Sequence, residues 1–203
     1  MYYTTLEYYK NLFESRELEY AFKATSLEEY RSWKEALRER LIEISGVNRC
    51  VSVTAEAKVI RADEVGQFAA EYCTLETEPG IEMPFYLLRP KEKEEGEKHP
   101  ILIIPHGHGG GKKETLLYQK KFIQEALEDG FMVVCPDERG SGDRREFPEQ
   151  GEEPEKERAN SHRELLQLGI GFGRSVIGTA VWDLMRLTDW LLQLPETNDT
   201  CVC

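Results

Sequence analysis

Apolar residues recur with a helical period close to the N-terminus. Between residues 26 and 44 they are spaced three or four apart, at Leu27, Tyr30, Trp33, Leu37 and Leu41. Ser26 followed by Glu29 is the pattern of a capping box, and Gly46 stands where a left-handed residue would end the helix. The pattern therefore predicts one amphipathic helix, preceded by an irregular or partly helical arm over residues 1–24.

Residues 50–90 show a different pattern, in which apolar side chains gather in short runs. The runs comprise Val51, Val53, Val59, Phe68, Tyr72 and residues 83–88. They predict short antiparallel strands, with Pro79-Gly80 as a turn. The charged segment that follows, residues 91–98, is typical of a solvated loop.

From residue 99 onwards, continuous apolar runs alternate with helical periodicity. Buried strands are predicted at 101–104, 131–135 and 200–203, and helices at 115–129 and 175–194. Strands buried on both faces and joined by helices predict a parallel sheet with right-handed crossovers. Such sheets form their sites in the loops at the carboxyl ends of the strands. Two notable segments, HGHGGGK and DERGSGD, lie at such ends.

Composition argues against two classes of partner, nucleic acids and membranes. The 203 residues carry 26 Lys and Arg against 38 Asp and Glu, a net charge of −12, which argues against nucleic acid as a partner. No apolar run approaches a membrane span, so we expect no membrane association. The N-terminus lacks the pattern of a signal peptide, and the five cysteines are an odd number. Both favour free thiols and a cytoplasmic location.

The glycine-rich segment from His106 to Lys112 could serve several chemistries, which its spacing separates. A phosphate-binding loop of the form G-x-x-x-x-G-K-[ST] would need glycine at His106 and a hydroxyl residue at Lys113. A dinucleotide fingerprint starting at Gly107 would need glycine at Lys112. Both patterns fail, and we expect no cofactor.

Metal binding is an alternative that the sequence leaves open. His106 and His108 form an H-x-H pair at a strand end, which Asp137 and Asp143 could supplement. The C-x-C pair near the C-terminus has no second pair of ligands at suitable spacing. A metal hydrolase built on the two histidines is therefore a minor hypothesis, and we predict no metal site.

An oxyanion hole fits the glycine-rich segment better. The backbone N–H groups of a glycine-rich loop after a buried strand can turn towards a substrate, where they stabilise negative charge as it develops. α/β-Hydrolases use HGGG-like loops in this way. The strand before the loop and the helix after it agree with that arrangement.

Three segments together resemble one branch of the α/β-hydrolase superfamily, the dienelactone-hydrolase-like and acetyl-xylan-esterase-like enzymes. The segments are HPILIIPHGHGGGKKE, FMVVCPDERGSGDR and GRSVIGTAVWDLMRLTDWLLQLPET, and the resemblance covers roughly residues 80–203. It implies an α/β-hydrolase-type sheet, truncated at the strand before the nucleophile elbow, with an N-terminal helical arm. The expected domains are a helical extension over 1–48 and an incomplete α/β-hydrolase domain over 49–203.

The same resemblance implies a serine carboxylesterase that hydrolyses ester groups, acetyl esters among them, through an acyl-enzyme. The family's serine lies in G-x-S-x-G after the fifth strand, and the acid and histidine follow it. All three are therefore expected after Cys203, and this chain alone is expected to be inactive. Ser141, Ser161 and Ser175 do not lie in that motif and are expected to be loop or cap residues.

The resemblance also assigns roles within the chain. It implies that the backbone N–H of His108 is an oxyanion donor, with Gly109 as the second candidate. His106, Gly107 and Gly110 are then expected to shape the loop.

Arg139 could contact a substrate or tie loops together. The expected ligand is a small-molecule or carbohydrate ester. An exposed edge strand could also join two copies of the chain. The alternative function is a non-catalytic, degenerate homologue that acts as a binding module.

Overall fold

The computed structural model describes residues 3–91, 96–107, 110–146 and 160–203. It divides into two compact units, which meet in the sequence between Glu43 and Ile44. None of the described helices is both long enough and apolar enough to cross a membrane.

The N-terminal unit consists of helix α1 (Thr5–Ser15) and most of helix α2 (Leu27–Ser45). The predicted capping box of α2 is confirmed, since the Glu29 N–H donates to Ser26 Oγ at 3.2 Å and the Ser26 N–H donates to Glu29 Oε2 at 3.3 Å. The Thr25 backbone N–H also donates to Glu29 Oε2, which lowers the pKa of that carboxyl. Gly46 follows the helix with φ 71°, as predicted.

One mixed sheet organises the second unit. Its strands in the described part of the chain are β1 (Ala57–Val65), β2 (Phe68–Glu78), β3 (Ile81–Leu88), β4 (His99–Ile103), β5 (Met132–Pro136) and β6 (Thr197–Val202). They lie in the order β1-β2-β3-β5-β4-β6. The pairs β1–β2, β2–β3 and β3–β5 are antiparallel, whereas β4 is parallel to both β5 and β6. The predicted antiparallel strands and the parallel β-α-β-α-β part are both confirmed.

Two predicted strand positions are wrong, because Val51 and Val53 lie outside any strand. The Val51 N–H donates to the buried Glu78 carboxylate at 2.9 Å, and not to a backbone carbonyl of a neighbouring strand. The turn at Gly80 is present, with φ 75°. The charged loop predicted over 91–98 lies partly outside the described residues, at positions 92–95.

Four helices accompany the sheet in the described residues: α3 (Lys112–Tyr118), α4 (Lys120–Glu128), α5 (His162–Gly171) and α6 (Val176–Leu191). The prediction of a single helix over 115–129 is wrong. The helix is interrupted at Gln119, which is the C-cap of α3 and the N-cap of α4. Helix α5 was not predicted, and the helix predicted over 175–194 ends at Leu191.

Apolar side chains fill both faces of the sheet. One cluster contains Phe85, Ile101, Met132 and Val134 of the sheet with Leu187 and Leu191 of α6. The other contains Tyr86, Val133 and Cys135 of the sheet with Leu116 of α3 and Ile123 of α4. The sheet is thus sandwiched between helices, and the loops after β4 and β5 emerge together at one end, as expected for a parallel pair.

Candidate active site

The loops that follow β4 and β5 are joined by the imidazole of His106, which is buried. Its Nε2 accepts the backbone N–H of Glu138 at 3.0 Å, and its Nδ1 lies 2.8 Å from the Gly107 carbonyl oxygen. Because Nε2 accepts, the ring proton belongs on Nδ1, where it donates to that carbonyl. The ring holds the two loops together, which is the geometry that a loop-shaping role requires.

Asp137 forms a second link between the same loops. Its carboxylate is fully buried and accepts the Lys112 backbone N–H at 2.6 Å, the Lys112 ammonium at 2.6 Å and the Asp143 N–H at 2.9 Å. The Lys112 ammonium also pairs with the Asp143 carboxylate. In a phosphate-binding loop this lysine would face the ligand, but here it is 3% exposed and held by two carboxylates.

Two glycines allow this close approach to the Asp137 carboxylate. A Cβ atom on Gly111 would lie 2.3 Å from Asp137 Oδ1, and one on Gly142 would lie 2.4 Å from the same atom. Both glycines have positive φ, 85° and 55°. The sequence pattern D-x-R-G-x-G therefore reflects the packing of loop backbone against one buried carboxylate.

A polar cavity of about 600 Å³ opens beside Lys112. Its lining includes basic, acidic and aromatic side chains: Arg61, Tyr86, Lys113, Glu114, Asp143 and Arg145. The Tyr72 hydroxyl donates to Asp143 at 3.0 Å, and the Arg61 guanidinium stacks 3.8 Å from the centre of the Tyr72 ring. Burial, together with the Asp63 carboxylate, raises the pKa of Tyr86 to about 12. The tyrosine is therefore neutral at physiological pH.

Arg139 is bound to carboxylates inside the protein. It makes a bidentate pair with Asp183 of α6, at 2.8 and 2.7 Å, and its remaining terminal nitrogen lies 2.9 Å from Glu78 of β2. Burial lowers the pKa of Arg139, but the two carboxylates outweigh it and raise the pKa above its usual value. The geometry thus matches the loop-tying alternative and leaves these three nitrogens engaged away from a substrate.

Asp183 is 2% exposed and also accepts from Arg144, at 2.8 Å. Burial raises its pKa, yet Arg139 and Arg144 reverse that effect and keep the pKa below its ordinary value. Burial also raises the pKa of Glu78, but the Val51 N–H together with Arg139 and Arg174 outweighs it and holds the pKa below its ordinary value. These ion pairs fix the loop after β5 to α6 and to β2.

The structure brings one serine close to a histidine. Ser141 Oγ lies 3.3 Å from His162 Nε2, at the N-terminus of α5. Ser141 is 1% exposed, so a substrate carbonyl could not reach it without movement of the loop. The pair fastens the β5 loop to α5, in agreement with the expectation that Ser141 is a loop residue.

The two proposed oxyanion donors, His108 and Gly109, lie outside the described residues. Their neighbours are described: the Gly110 N–H donates to the Glu114 carboxylate, which occupies that donor, and Gly107 offers its carbonyl to His106. The oxyanion assignment therefore stays a prediction.

The described residues contain no group of three side chains placed to hold a metal ion. Both ring nitrogens of His106 face backbone groups, and His99 Nδ1 lies 3.0 Å from the Gly130 carbonyl oxygen. Burial raises the pKa of both Cys201 and Cys203, which keeps these thiols protonated.

Sequence reasoning missed the roles of Lys112 and Asp137 as buried partners, and for Asp183 it allowed a solvated position or an ion pair but not burial. One signal was available for Asp183, because it is the single acidic residue in the apolar run VIGTAVWDLM, and an acidic residue at such a position needs a cationic partner. Nothing in the spacing of Lys112 and Asp137, 25 residues apart, indicates that they meet.

Comparison with solved structures shows what fold these loops belong to. A candidate acetyl xylan esterase from Bacteroides fragilis NCTC 9343 superposes with a TM-score of 0.78 at 15% identity, over 99% of this chain and 54% of that one. A methylesterase superposes with a TM-score of 0.53 at 20% identity, over 96% of this chain and 36% of that one. No protein-family model and no curated protein matches the sequence.

The chain thus spans about half the length of the first solved structure it matches and about a third of the second. The match agrees with the strand order, in which the parallel strands β5, β4 and β6 follow an antiparallel portion. The expected fold class is confirmed: the chain has an α/β-hydrolase-type fold, which it shares with the candidate acetyl xylan esterase and the methylesterase.

Proposed function

We propose that this chain supplies the oxyanion loop and the adjoining sheet of a serine carboxylesterase that acts on small-molecule or carbohydrate esters, acetyl esters among them. The observation that carries the proposal is the position of the glycine-rich loop. It leaves β4 at the carboxyl end and is held by His106 and Asp137 to the neighbouring loop, beside β6.

In this proposal the loop provides fixed backbone N–H groups, His108 foremost, for the oxyanion of an acyl-transfer intermediate. A donor that is held in place before the reaction lowers the barrier because it need not reorganise as charge develops. The links through His106 and Asp137 limit the movement of the loop in two places. The loss of one oxyanion donor costs about 10²–10³ in kcat in well-studied acyl-transfer enzymes.

The nucleophilic serine, the acid and the histidine are proposed to come from polypeptide beyond Cys203, in the order that the α/β-hydrolase resemblance implies. The 203-residue chain alone is then expected to hydrolyse p-nitrophenyl acetate no faster than its Ser141→Ala variant. A protein that extends past Cys203 into a G-x-S-x-G motif is expected to react with a fluorophosphonate probe and to turn over the ester.

The assay needs three proteins: the 203-residue chain, its Ser141→Ala variant, and the product of the whole reading frame. Enzymatic turnover by the 203-residue chain that Ser141→Ala abolishes would show that the nucleophile lies within it. A reading frame that ends at Cys203, or an extended protein without esterase activity, would favour the non-catalytic binding module instead.

A further inference from the structure

The polar cavity beside Lys112 lies between the glycine-rich loop and the strands near one edge of the sheet. Arg61 of β1 and Tyr86 of β3 line it on the side of the sheet, and the first turn of α3 lines it on the side of the loop. Strand β1 is the edge opposite to β6. The polypeptide that is proposed to continue past Cys203 would leave from β6, at the far edge of the sheet from this cavity.

Arg61 is held in place against two tyrosines. In the register of the sheet Arg61 lies opposite Tyr72, and Tyr72 lies opposite Tyr86, so these side chains share one face. The Arg61 guanidinium stacks on the Tyr72 ring and binds the Asp63 carboxylate through Nε and Nη2, at 3.0 and 2.9 Å. Its Nη1 has no partner among the described residues. The guanidinium therefore offers one N–H₂ group to a ligand from a fixed position.

Lys113 supplies a second positive charge to the cavity. It is exposed in the first turn of α3, and within the described part of the chain its ammonium makes neither a hydrogen bond nor an ion pair. The neighbouring Lys112 differs, because the buried Asp137 carboxylate neutralises it. In a protein with a net charge of −12, a cavity that offers an ammonium and a guanidinium N–H₂ group favours an anionic ligand.

The same cavity also offers an acceptor of hydrogen bonds. Asp143 lines it, and both the Lys112 ammonium and the Tyr72 hydroxyl bind Oδ2 of this carboxylate. Oδ1 accepts no hydrogen bond from the residues that the structure describes, so it can accept one from a ligand hydroxyl. Glu114 adds a second carboxylate to the lining, which disfavours a doubly charged anion such as phosphate. The lining suits a ligand with one carboxylate and several hydroxyl groups.

We propose that this cavity binds an acidic sugar, a hexuronate. Lys113 and Arg61 hold its carboxylate, and Asp143 accepts one of its hydroxyl groups. The volume of about 600 Å³ is within the usual range of small-molecule sites. Gly110 lines the cavity and follows the proposed oxyanion donor His108 by two residues. That the sugar is part of the ester substrate rests on the proposed function, which then acts on esters of acidic carbohydrates.

Titration of the isotope-labelled 203-residue protein with D-glucuronate, followed by NMR, tests the site without requiring catalysis. We expect a dissociation constant of about 1 mM, as is typical of so small a ligand. The amide shifts should change at the cavity, at Gly110, Lys113 and Gly142 foremost. D-Glucose, which lacks the carboxylate, and inorganic phosphate should each bind at least ~10-fold more weakly.

Two lysine variants separate the cavity from the overall charge of the protein. Lys113→Glu reverses a charge at the cavity and should raise the dissociation constant for glucuronate at least ~10-fold. Lys121→Glu is the matched control, because it changes the net charge equally at a side chain that is 90% exposed on α4 and does not line the cavity. It should leave the dissociation constant unchanged. Circular dichroism confirms that both variants are folded.

Selective binding of glucuronate that Lys113→Glu weakens and Lys121→Glu preserves supports the proposal. The proposal is overturned if glucuronate does not bind, if glucose or phosphate binds as tightly, or if the two lysine variants have equal effects. Shift changes confined to another part of the chain also overturn it. The test is distinct from that of the proposed function, since a protein that binds glucuronate but whose whole reading frame hydrolyses no ester would refute the esterase and retain the site.

Discussion

The loops after β4 and β5 differ from the β6–α6 edge in the kinds of side chain that they bury and expose. Around the loops, Lys112, Asp137 and Asp183 are charged yet buried, Arg139 is half-buried, and each has a partner of opposite charge. At the edge, Ile177, Val181, Met185 and Leu192 on one flank of α6 are apolar yet exposed. Charged side chains thus hold the backbone in place at the loops, whereas these apolar side chains are left uncovered by the described residues.

The largest expected effect is at Asp137. Two carboxylates pair with the buried Lys112 ammonium, and Asp137 is the fully buried one of the two. Its replacement by alanine leaves Lys112 with the exposed Asp143 as its remaining acidic partner. Removal of one member of a buried pair costs about 3–5 kcal/mol. Urea unfolding measures the loss. Asp189→Ala, which breaks a surface pair with Arg186, is the control and should cost less than about 1 kcal/mol.

If Asp137→Ala and Asp189→Ala lowered the free energy of unfolding equally, burial would not determine the contribution of Asp137 to stability. The double variant Asp137→Leu, Lys112→Met tests the same point from the other side. It removes both charges, and we expect it to recover most of the stability that Asp137→Ala loses, because no uncompensated charge stays buried.

Next in size is the packing of Gly142 against the Asp137 carboxylate. Gly142→Ala combines a left-handed backbone with a Cβ 2.4 Å from Asp137, and we expect a loss of about 3 kcal/mol. Gly80→Ala shares the positive φ but has no atom within 4 Å of the new Cβ, so it should cost only about 1–2 kcal/mol. If the two variants had the same urea midpoint, backbone conformation alone would account for the cost of Gly142→Ala.

Acid is expected to weaken the loop region as well. The folded protein lowers the pKa of Asp183 and Glu78, so the stability they add is present above their unfolded pKa and is lost as pH falls through the folded pKa. We therefore expect the free energy of unfolding to fall as the pH drops below about 4, the ordinary pKa of these carboxyl groups. Asp143, whose pKa is also lowered, adds little because its side chain is more than half exposed.

The pH dependence is measured by urea unfolding at several pH values, with Asp183→Asn as the comparison. This variant cannot take up a proton at position 183, so its stability should fall less steeply on acidification. A slope identical to that of the wild type would show that Asp183 does not carry the effect.

The sequence predicted the strands and the order of the elements better than the site. Continuous apolar runs identified β4 and β5 because local pattern is sufficient where a strand is buried on both faces. Helix α5 was missed because its glycines at 169 and 171 and its polar N-terminal flank resemble a loop. The link between Lys112 and Asp137 was not foreseeable, since a contact 25 residues apart depends on how two loops meet in space.

The smallest expected effect lies on the exposed flank of α6. Val181→Ser replaces an isopropyl side chain that is 43% exposed, so we expect a change within about 0.5 kcal/mol in the free energy of unfolding. Leu187→Ala, fully buried on the same helix, is the control and should cost about 2–5 kcal/mol. A cost in dilute solution close to that of Leu187→Ala would mean that the side chain is already covered within one chain, and the contrast between the loops and the edge would then fail.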